Sequence, residues 1–220
     1  GTSAAADGTV TAATDKVYMR EGASVNVTQS GVRFGAYVNK AWYDSLENKE
    51  TGVYVIPEDL LGNGQLTNET AKAVSAVATA EPAVEGDYYL YNYVLRNIPD
   101  SAYGRKLVAR AYVKSGDTYT WANNAQSRSL AYVASVALQK ASVGEAEFDA
   151  EQTKTLKGYI DAAISSVAPS AYTKTLTVGS EDSVSLKITP KKIYTNANEL
   201  SDLKVIYTSD NADAVSVAEG

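Results

Sequence analysis

The sequence contains no histidine and no cysteine. Without histidine, neither a Ser-His-Asp nor a Cys-His catalytic arrangement can form, and histidine-based zinc sites are excluded as well. Without cysteine no disulfide bond forms, so the hydrophobic core must stabilise the fold alone. A carboxylate pair, a Ser-Lys pair and a tyrosine nucleophile remain open. Of these, only a carboxylate pair has many candidate residues in this chain, and no motif marks such a pair. We therefore predict that the protein is not an enzyme.

Positive charge and long apolar runs are also scarce. The net charge of −6 argues against a nucleic-acid partner, because neutralising phosphates requires clustered lysine and arginine. No apolar run approaches the roughly 20 residues that span a bilayer. With 45% hydrophobic and 21% charged residues, the 220-residue chain has the composition of a globular protein with one large domain or two ordinary ones.

The N-terminal stretch carries no structural pattern. Its first residues, 1–8, are small and polar, and we assign 1–15 as a flexible leader of the kind that remains after a signal peptide is removed. An ordinary frayed terminus is the alternative.

Residues 16–168 are predicted to form one β-rich domain that ends in two helices. Up to about Asn124, short β-branched and aromatic runs alternate with Gly, Asn, Asp and Pro, which is typical of strands. The expected strands are 17–20, 23–28, 32–38, 52–56, 88–98, 107–113 and 118–121. The alanine-rich stretch 66–80 is compatible with either a short helix or an extended segment.

After the strands, the apolar period changes to about 3.6 residues, the period of an α-helix. Ser127 or Ser129 is the expected N-cap of the first helix. Its apolar face comprises Leu130, Val133, Ala134, Ala137 and Leu138. After Gly144, a second apolar stripe runs from Leu156 to Val167, and Pro169 ends it. We expect two antiparallel helices packed on one face of a sheet.

In the C-terminal segment, 171–220, apolar and polar residues again alternate as in β-strands. The segment also carries a set of short motifs. They are Leu176-Thr177-Val178-Gly179, Val184-Ser185-Leu186-Lys187-Ile188-Thr189-Pro190, Val205-Ile206-Tyr207-Thr208-Ser209-Asp210-Asn211 and Ala214-Val215-Ser216-Val217 with Gly220. In order and rough spacing these motifs resemble the bacterial Ig-like group 2 family. The resemblance implies a β-sandwich, of which the segment would supply about half.

The predicted fold class is therefore α+β. A mainly antiparallel N-terminal domain with two packed helices precedes a partial Ig-like β-sandwich in 171–220. An unfinished sandwich exposes a strand edge, which invites pairing. We expect this segment to pack against the N-terminal domain or to pair with a strand of another chain.

The preceding region resembles, less specifically, a module found beside Ig-like repeats in extracellular proteins of Gram-positive bacteria. The residues that carry this resemblance are Gly31-Val32-Arg33-Phe34, Leu107-Val108-Ala109-Arg110-Ala111-Tyr112-Val113 and Ser127-Arg128-Ser129-Leu130. The resemblance implies a secreted protein at the cell surface or cell wall, in cell adhesion or structural presentation. Its partner would be a host or cell-wall glycan or a surface protein. The alternative is a carbohydrate-binding module of a larger secreted polysaccharide-acting protein.

Tyrosine is the abundant aromatic residue, with 16 Tyr beside 2 Trp and 2 Phe. On a strand, Tyr89, Tyr91 and Tyr93 would share one face, and an exposed aromatic row could stack on sugar rings or a protein partner. The alternative is structural, because tyrosine favours sheets and its phenol reaches water at a rim. Trp42 with Tyr43, and Tyr119 with Trp121, are further candidates by the same reasoning.

A candidate cation site follows Pro57. Glu58 and Asp59, with Asn63 nearby, could supply oxygen ligands to Ca²⁺ from a loop, although the spacing is not that of an EF-hand. A simply solvated acidic loop is the alternative. The sequence points to no other cofactor.

Three arginines lie within apolar stretches of the sequence: Arg33, Arg110 and Arg128. In that setting an arginine is often the half-buried partner of a carboxylate. The alternative is that these side chains bind an anionic ligand.

Overall fold

A computed structural model describes residues 15–170 and 185–191 together with residues 200, 203 and 204. Within them the chain folds into antiparallel β-sheets and two longer helices. The predicted α+β class with mainly antiparallel strands is confirmed, since every strand pair in the described part of the chain is antiparallel. The predicted leader lies outside the described residues, apart from Asp15.

The strands are numbered in chain order. They are β1 (Val17–Met19), β2 (Ser24–Asn26), β3 (Gly31–Asn39), β4 (Lys49–Pro57), β5 (Val74–Ser75), β6 (Val77–Ala78), β7 (Ala83–Glu85), β8 (Tyr88–Leu95), β9 (Leu107–Ser115), β10 (Thr118–Trp121), β11 (Gln126–Arg128), β12 (Ile164–Pro169) and β13 (Leu186–Pro190). The α-helices are α1 (Lys40–Asp44), α2 (Glu58–Leu61), α3 (Leu130–Ser142) and α4 (Ala150–Ala163). All seven strands expected before the helices are present, with boundaries that differ by a few residues.

Two sheets enclose the core. The first has the order β1-β3-β8-β6, with β2 beside β3 and β7 beside β8, and the second has the order β10-β9-β4-β5, with β11 beside β9. Period-2 alternation explains which residues point inward. The inward residues of β3 (Val32, Phe34, Ala36 and Val38) and of β4 (Val53 and Val55) share one buried cluster.

Both edges of this pair of sheets are bridged. The stretch 66–80, left open between helix and extended chain, contains turns at 68–72 and then two short strands: 74–75 pairs with β4 of the second sheet and 77–78 pairs with β8 of the first. At the opposite edge, the Asn124 side chain forms hydrogen bonds with the backbone of β1. Its Oδ1 accepts a hydrogen bond from Met19 N at 2.7 Å, and its Nδ2 donates to Met19 O at 3.0 Å. Hydrogen bonds therefore link the two sheets at both edges.

The helices begin where local chemistry favours it. Ser129 caps α3 by accepting a hydrogen bond from Tyr132 N at 3.1 Å, and Asp149 forms a capping box with Gln152 at α4. Their buried residues join the core that both sheets share, and the strands that α3 contacts are chiefly β2 and β3 of the first sheet.

The second helix ends earlier than its apolar stripe predicts. It stops at Ala163, and Ile164–Pro169 forms strand β12, which pairs with β13. The predicted helical position of Val167 is therefore wrong. β-branched side chains in this stretch fit a sheet, and the partner strand that satisfies its backbone comes from a distant part of the sequence.

The described parts of the C-terminal segment contact the N-terminal domain. Leu200 and Leu203 pack with Ala131 and Ala163, and Lys204 N donates a hydrogen bond to Ser135 Oγ at 3.2 Å. Of the expected Ig-like strands, β13 falls within 184–190, whereas those around 176–178, 205–207 and 215–217 lie outside the described residues. None of the helices in the described residues is long and apolar enough to cross a membrane.

Candidate functional site

Four aromatic side chains lie together on the outer face of the second sheet: Tyr54, Tyr112, Tyr119 and Trp121, here called the outer aromatic cluster. Their neighbours along β4 and β9, such as Val53 and Val113, point into the core, so strand alternation turns the aromatic residues outward. Antiparallel register places Trp121 directly opposite Tyr112.

The rings of the outer aromatic cluster contact one another throughout. Tyr54 stacks on Tyr112 with 5.3 Å between ring centroids, and Tyr119 stacks on Trp121 at the same distance with the planes only 9° apart. Tyr112 and Trp121 join the two pairs at 5.5 Å. Tyr112 is 9% exposed, and its burial raises the pKa of its phenol to about 12. The other three rings are half-buried and reach solvent.

Two cations flank the outer aromatic cluster. Arg110 Cζ lies 5.4 Å from the Trp121 ring centroid and Lys114 Nζ lies 5.5 Å from that of Tyr119, within the range of cation–π attraction. Arg110 Nε also donates to Ala122 O at 2.8 Å, and burial lowers the pKa of its guanidinium. The cluster therefore combines flat apolar area, phenol groups and fixed positive charge.

None of the three arginines singled out from the sequence has the expected carboxylate partner among the described residues, where the salt bridges involve Arg105 and Lys106. Arg110 instead donates to backbone carbonyls, including Leu66 O at 3.2 Å. Arg128 donates to Ser127 O at 2.7 Å.

The predicted tyrosine row shares one face of β8, but this face points into the core. Tyr93 is 3% exposed and forms a hydrogen bond with Thr51 across the interior. An exposed position for Tyr93 is therefore wrong, because register places it opposite Phe34 in the inward row of β3. Tyr91 stacks on Tyr93 at 6.4 Å and is only half-buried.

The outer end of the tyrosine row is held by polar contacts near α1. The Tyr89 hydroxyl donates to Asp44 Oδ2 at 3.0 Å, and Tyr43 contacts the Tyr89 ring edge-on at 6.1 Å. Burial raises the pKa of both Tyr91 and Tyr93 above the ordinary range. These contacts fit a structural role for the row.

The other predicted tryptophan, Trp42, lies in α1 beside this row. Asn39 caps the helix by accepting a hydrogen bond from Trp42 N at 3.0 Å, and Lys16 Nζ lies 5.2 Å from the indole centroid. The Trp42 ring is half-buried against the core. Of the predicted candidates, Tyr119 and Trp121 belong to the outer aromatic cluster.

Two of the three predicted calcium ligands, Glu58 and Asp59, are engaged by protein groups. Both Asp59 oxygens accept hydrogen bonds from Arg105, at 2.7 and 2.6 Å. Glu58 Oε1 accepts one from Ser127 at 2.8 Å. Asn63 is exposed in the turn after α2. Within the described ranges no three or more acidic side chains are grouped so that they could hold a metal ion, and a cation at Asp59 would compete with Arg105.

Sequence reasoning missed Tyr54 and Tyr112. Each lies between inward-facing residues in strands that were recognised, so alternation marked them as outward. What could not be recognised was that β4, β9 and β10 are neighbours in one register. No protein-family model matches this chain, and a comparison with curated proteins finds no match.

Proposed function

We propose that this protein is a non-catalytic extracellular bacterial surface module that serves cell adhesion or structural presentation, and that the outer aromatic cluster is its binding surface. The assignment of the outer aromatic cluster as the binding surface rests on one observation: four mutually packed rings lie on the outer face of one sheet. We also propose, from the sequence resemblance, that 171–220 belongs to a partial Ig-like domain and that the protein acts at the cell surface or cell wall.

The physical case for the outer aromatic cluster rests on preorganisation. Tyrosine and tryptophan offer large contact area with few side-chain torsions, so little conformational entropy is lost on binding. Here the rings are already held by one another and by a sheet whose strands share the core. Tyr and Trp also dominate the binding energy of protein interfaces, together with Arg, and Arg110 lies over Trp121.

Carbohydrate binding is the second candidate function. Half-buried Tyr54, Tyr119 and Trp121 present aromatic surface and, in the tyrosines, phenol groups that can hydrogen-bond to sugar hydroxyls. The module would then belong to a larger secreted polysaccharide-acting protein. The two candidates share one surface and differ in the ligand.

The test compares ligands and variants together. The chain would be applied to an array of host and bacterial cell-wall glycans, and beads coated with it would be tested for adhesion to host cells. Trp121→Ala and Tyr119→Ala remove ring area from the outer aromatic cluster. Tyr37→Ala is the matched control, because Tyr37 is a half-buried tyrosine of the first sheet.

Specific glycan binding that Trp121→Ala abolishes and Tyr37→Ala preserves would establish carbohydrate binding and overturn a purely adhesive or spacer role. Adhesion to cells with the same dependence on Trp121, and no glycan signal, would support the adhesive role. Binding that neither cluster variant weakens would overturn the outer aromatic cluster as the binding surface.

A further inference from the structure

A second surface feature is a pocket that is rich in positive charge. It has a volume of about 380 Å³ and lies where the two sheets meet α3. Its lining includes four cations, Arg20, Arg33, Arg128 and Lys140, but only one carboxylate, Glu21. The concentration is notable because the chain as a whole carries a net charge of −6. We call it the basic pocket, and it shares no lining residue with the outer aromatic cluster.

The four cations come from separate elements. Arg20 follows β1, Arg33 lies in β3, Arg128 ends β11 and Lys140 lies in the last turn of α3. Tertiary folding alone brings them together. Like charges gathered in one concavity repel one another, and an anion between them would remove that cost.

The positions of two of the arginines are set by the fold. Arg20 N donates to Gly35 O at 2.9 Å, and the Arg20 stem passes over Gly35, where a Cβ atom would lie only 3.0 Å from Arg20 Cβ. Arg128 is half-buried, and its Nη1 donates to Ser127 O at 2.7 Å while its guanidinium lies 5.7 Å from the Tyr132 ring centroid. These contacts hold part of each side chain and leave further N–H donors for a ligand.

None of the four cations of the basic pocket forms a salt bridge among the described residues, where the salt bridges are Arg105–Asp59 and Lys106–Glu58. A guanidinium binds carboxylate, sulfate or phosphate oxygens through paired N–H groups, which an ammonium cannot do. The chemistry of the lining therefore selects an oxyanion.

The remaining lining gives the size and character of the ligand. Val133, Val136 and the Tyr132 ring form an apolar wall, while Ser24 and Asn92 add hydrogen-bonding groups. Small-molecule sites begin at about 300 Å³, so the volume suits a body the size of a sugar and exceeds what an inorganic anion needs. We propose that the basic pocket binds a sugar-sized ligand that carries a carboxylate, sulfate or phosphate group.

The experiment is calorimetric titration of the 220-residue chain at low ionic strength with four probes: glucose 6-phosphate, glucuronate, inorganic phosphate and glucose. We expect the two anionic sugars to bind, inorganic phosphate to bind at least about fivefold more weakly because it leaves the apolar wall uncovered, and glucose not to bind. Affinity should fall as sodium chloride is added.

Variants assign the binding to the basic pocket. Arg33→Gln with Arg128→Gln should weaken binding of the anionic sugars by at least about tenfold, since charge-assisted hydrogen bonds are lost. Lys154→Gln with Lys157→Gln changes the net charge equally at two exposed lysines of α4 that lie outside the pocket, and should leave affinity nearly unchanged. Arg33→Lys keeps the charge but loses the paired donors, so an intermediate affinity is expected, and this variant serves if the double variant does not fold.

Three results would overturn the proposal: no anionic probe binds, glucose binds as tightly as glucose 6-phosphate, or the arginine variants bind as well as the lysine control. Equal affinity for inorganic phosphate and glucose 6-phosphate would overturn the sugar-sized ligand. Failure of this proposal leaves the outer aromatic cluster to be judged by its own variants, Trp121→Ala and Tyr119→Ala, which lie outside the basic pocket.

Discussion

The phenol ring of Tyr112 lies directly over Gly52. A Cβ atom built on this glycine would be 2.6 Å from Tyr112 Cε1 and would collide with Cζ and Oη. The two residues face each other across β4 and β9, so the missing side chain of one makes room for the ring of the other. Glycine usually weakens a strand, and here the aromatic ring covers the gap.

Gly52→Ala should therefore destabilise the protein although alanine is the better strand residue. We expect a loss of roughly 1–3 kcal/mol in the free energy of unfolding, because Tyr112 must leave its position between Tyr54 and Trp121. Urea unfolding measures the loss, and near-UV circular dichroism reports the displaced rings.

Gly158→Ala provides the control with the opposite sign. Gly158 lies inside α4 with no atom within 4 Å of a Cβ placed there, so alanine should stabilise by about 0.5–1 kcal/mol. If Gly52→Ala proved as stable as the parent chain, Tyr112 would not depend on that glycine.

The raised pKa of Tyr112 predicts a loss of stability in alkali. Its ordinary pKa is 10.0, and burial raises it to about 12 in the folded protein. Between these values the unfolded chain has lost a proton that the folded chain keeps, so the free energy of unfolding falls as pH rises. The contribution of the Tyr112 phenol to the free energy of unfolding is fully present below pH 10 and is lost as the pH rises towards 12.

Urea unfolding between pH 8 and pH 11 tests this prediction, with pH values chosen around the ordinary tyrosine pKa of about 10. Tyr112→Phe keeps the ring over Gly52 and removes the ionisable group, so its decline with pH should be shallower than that of the parent. An unchanged decline would show that other tyrosines are responsible.

The partly buried hydrogen bond between Tyr93 and Thr51 should contribute to stability. Tyr93→Phe removes one partner and leaves the half-buried Thr51 hydroxyl without this hydrogen bond, which should cost about 0.5–1.5 kcal/mol. Thr51→Val should cost a similar amount for the same reason. The double variant should cost less than the sum of the two, because neither partner is then left alone. Strict additivity would rule out the interaction.

Leu200 tests whether the C-terminal segment stabilises the N-terminal domain. It is 2% exposed and lies against Gly104, where a Cβ atom would come within 3.2 Å of its side chain. Leu200→Ala should cost about 2–5 kcal/mol through lost contacts and a cavity. Leu60→Ala, at a leucine that is 45% exposed, should change stability by no more than about 0.5 kcal/mol. Equal effects would contradict the packing.

Local features were predictable. The Ser129 cap and the break at Gly144, whose φ is +77°, depend on a few adjacent residues. The same holds for the hairpin turn at Gly116, where φ is +57°, since glycine adopts this conformation without steric cost. Strand positions followed from alternation and β-branched content. Each of these features depends on residues that are close together in the sequence.

Other features depended on distant partners. The strand at Ile164–Pro169 forms because Leu186–Pro190 pairs with it, although its own apolar spacing also suits a helix. Residues 74–75 and 77–78 form strands because they have backbone partners in the two sheets. The basic pocket could not be predicted, since Arg33 and Arg128 were recognised singly and their assembly with Arg20 and Lys140 requires the packed fold.

The sequence by itself determined which side chains share a face: Tyr89, Tyr91 and Tyr93 on one strand, and Tyr119 and Trp121 on another. Only the tertiary structure decided that the first set points into the core and that the second completes an outward cluster with Tyr54 and Tyr112. The physical reason is that alternation is a property of a single strand, whereas the choice of inward face is made by long-range pairing and the burial of apolar surface.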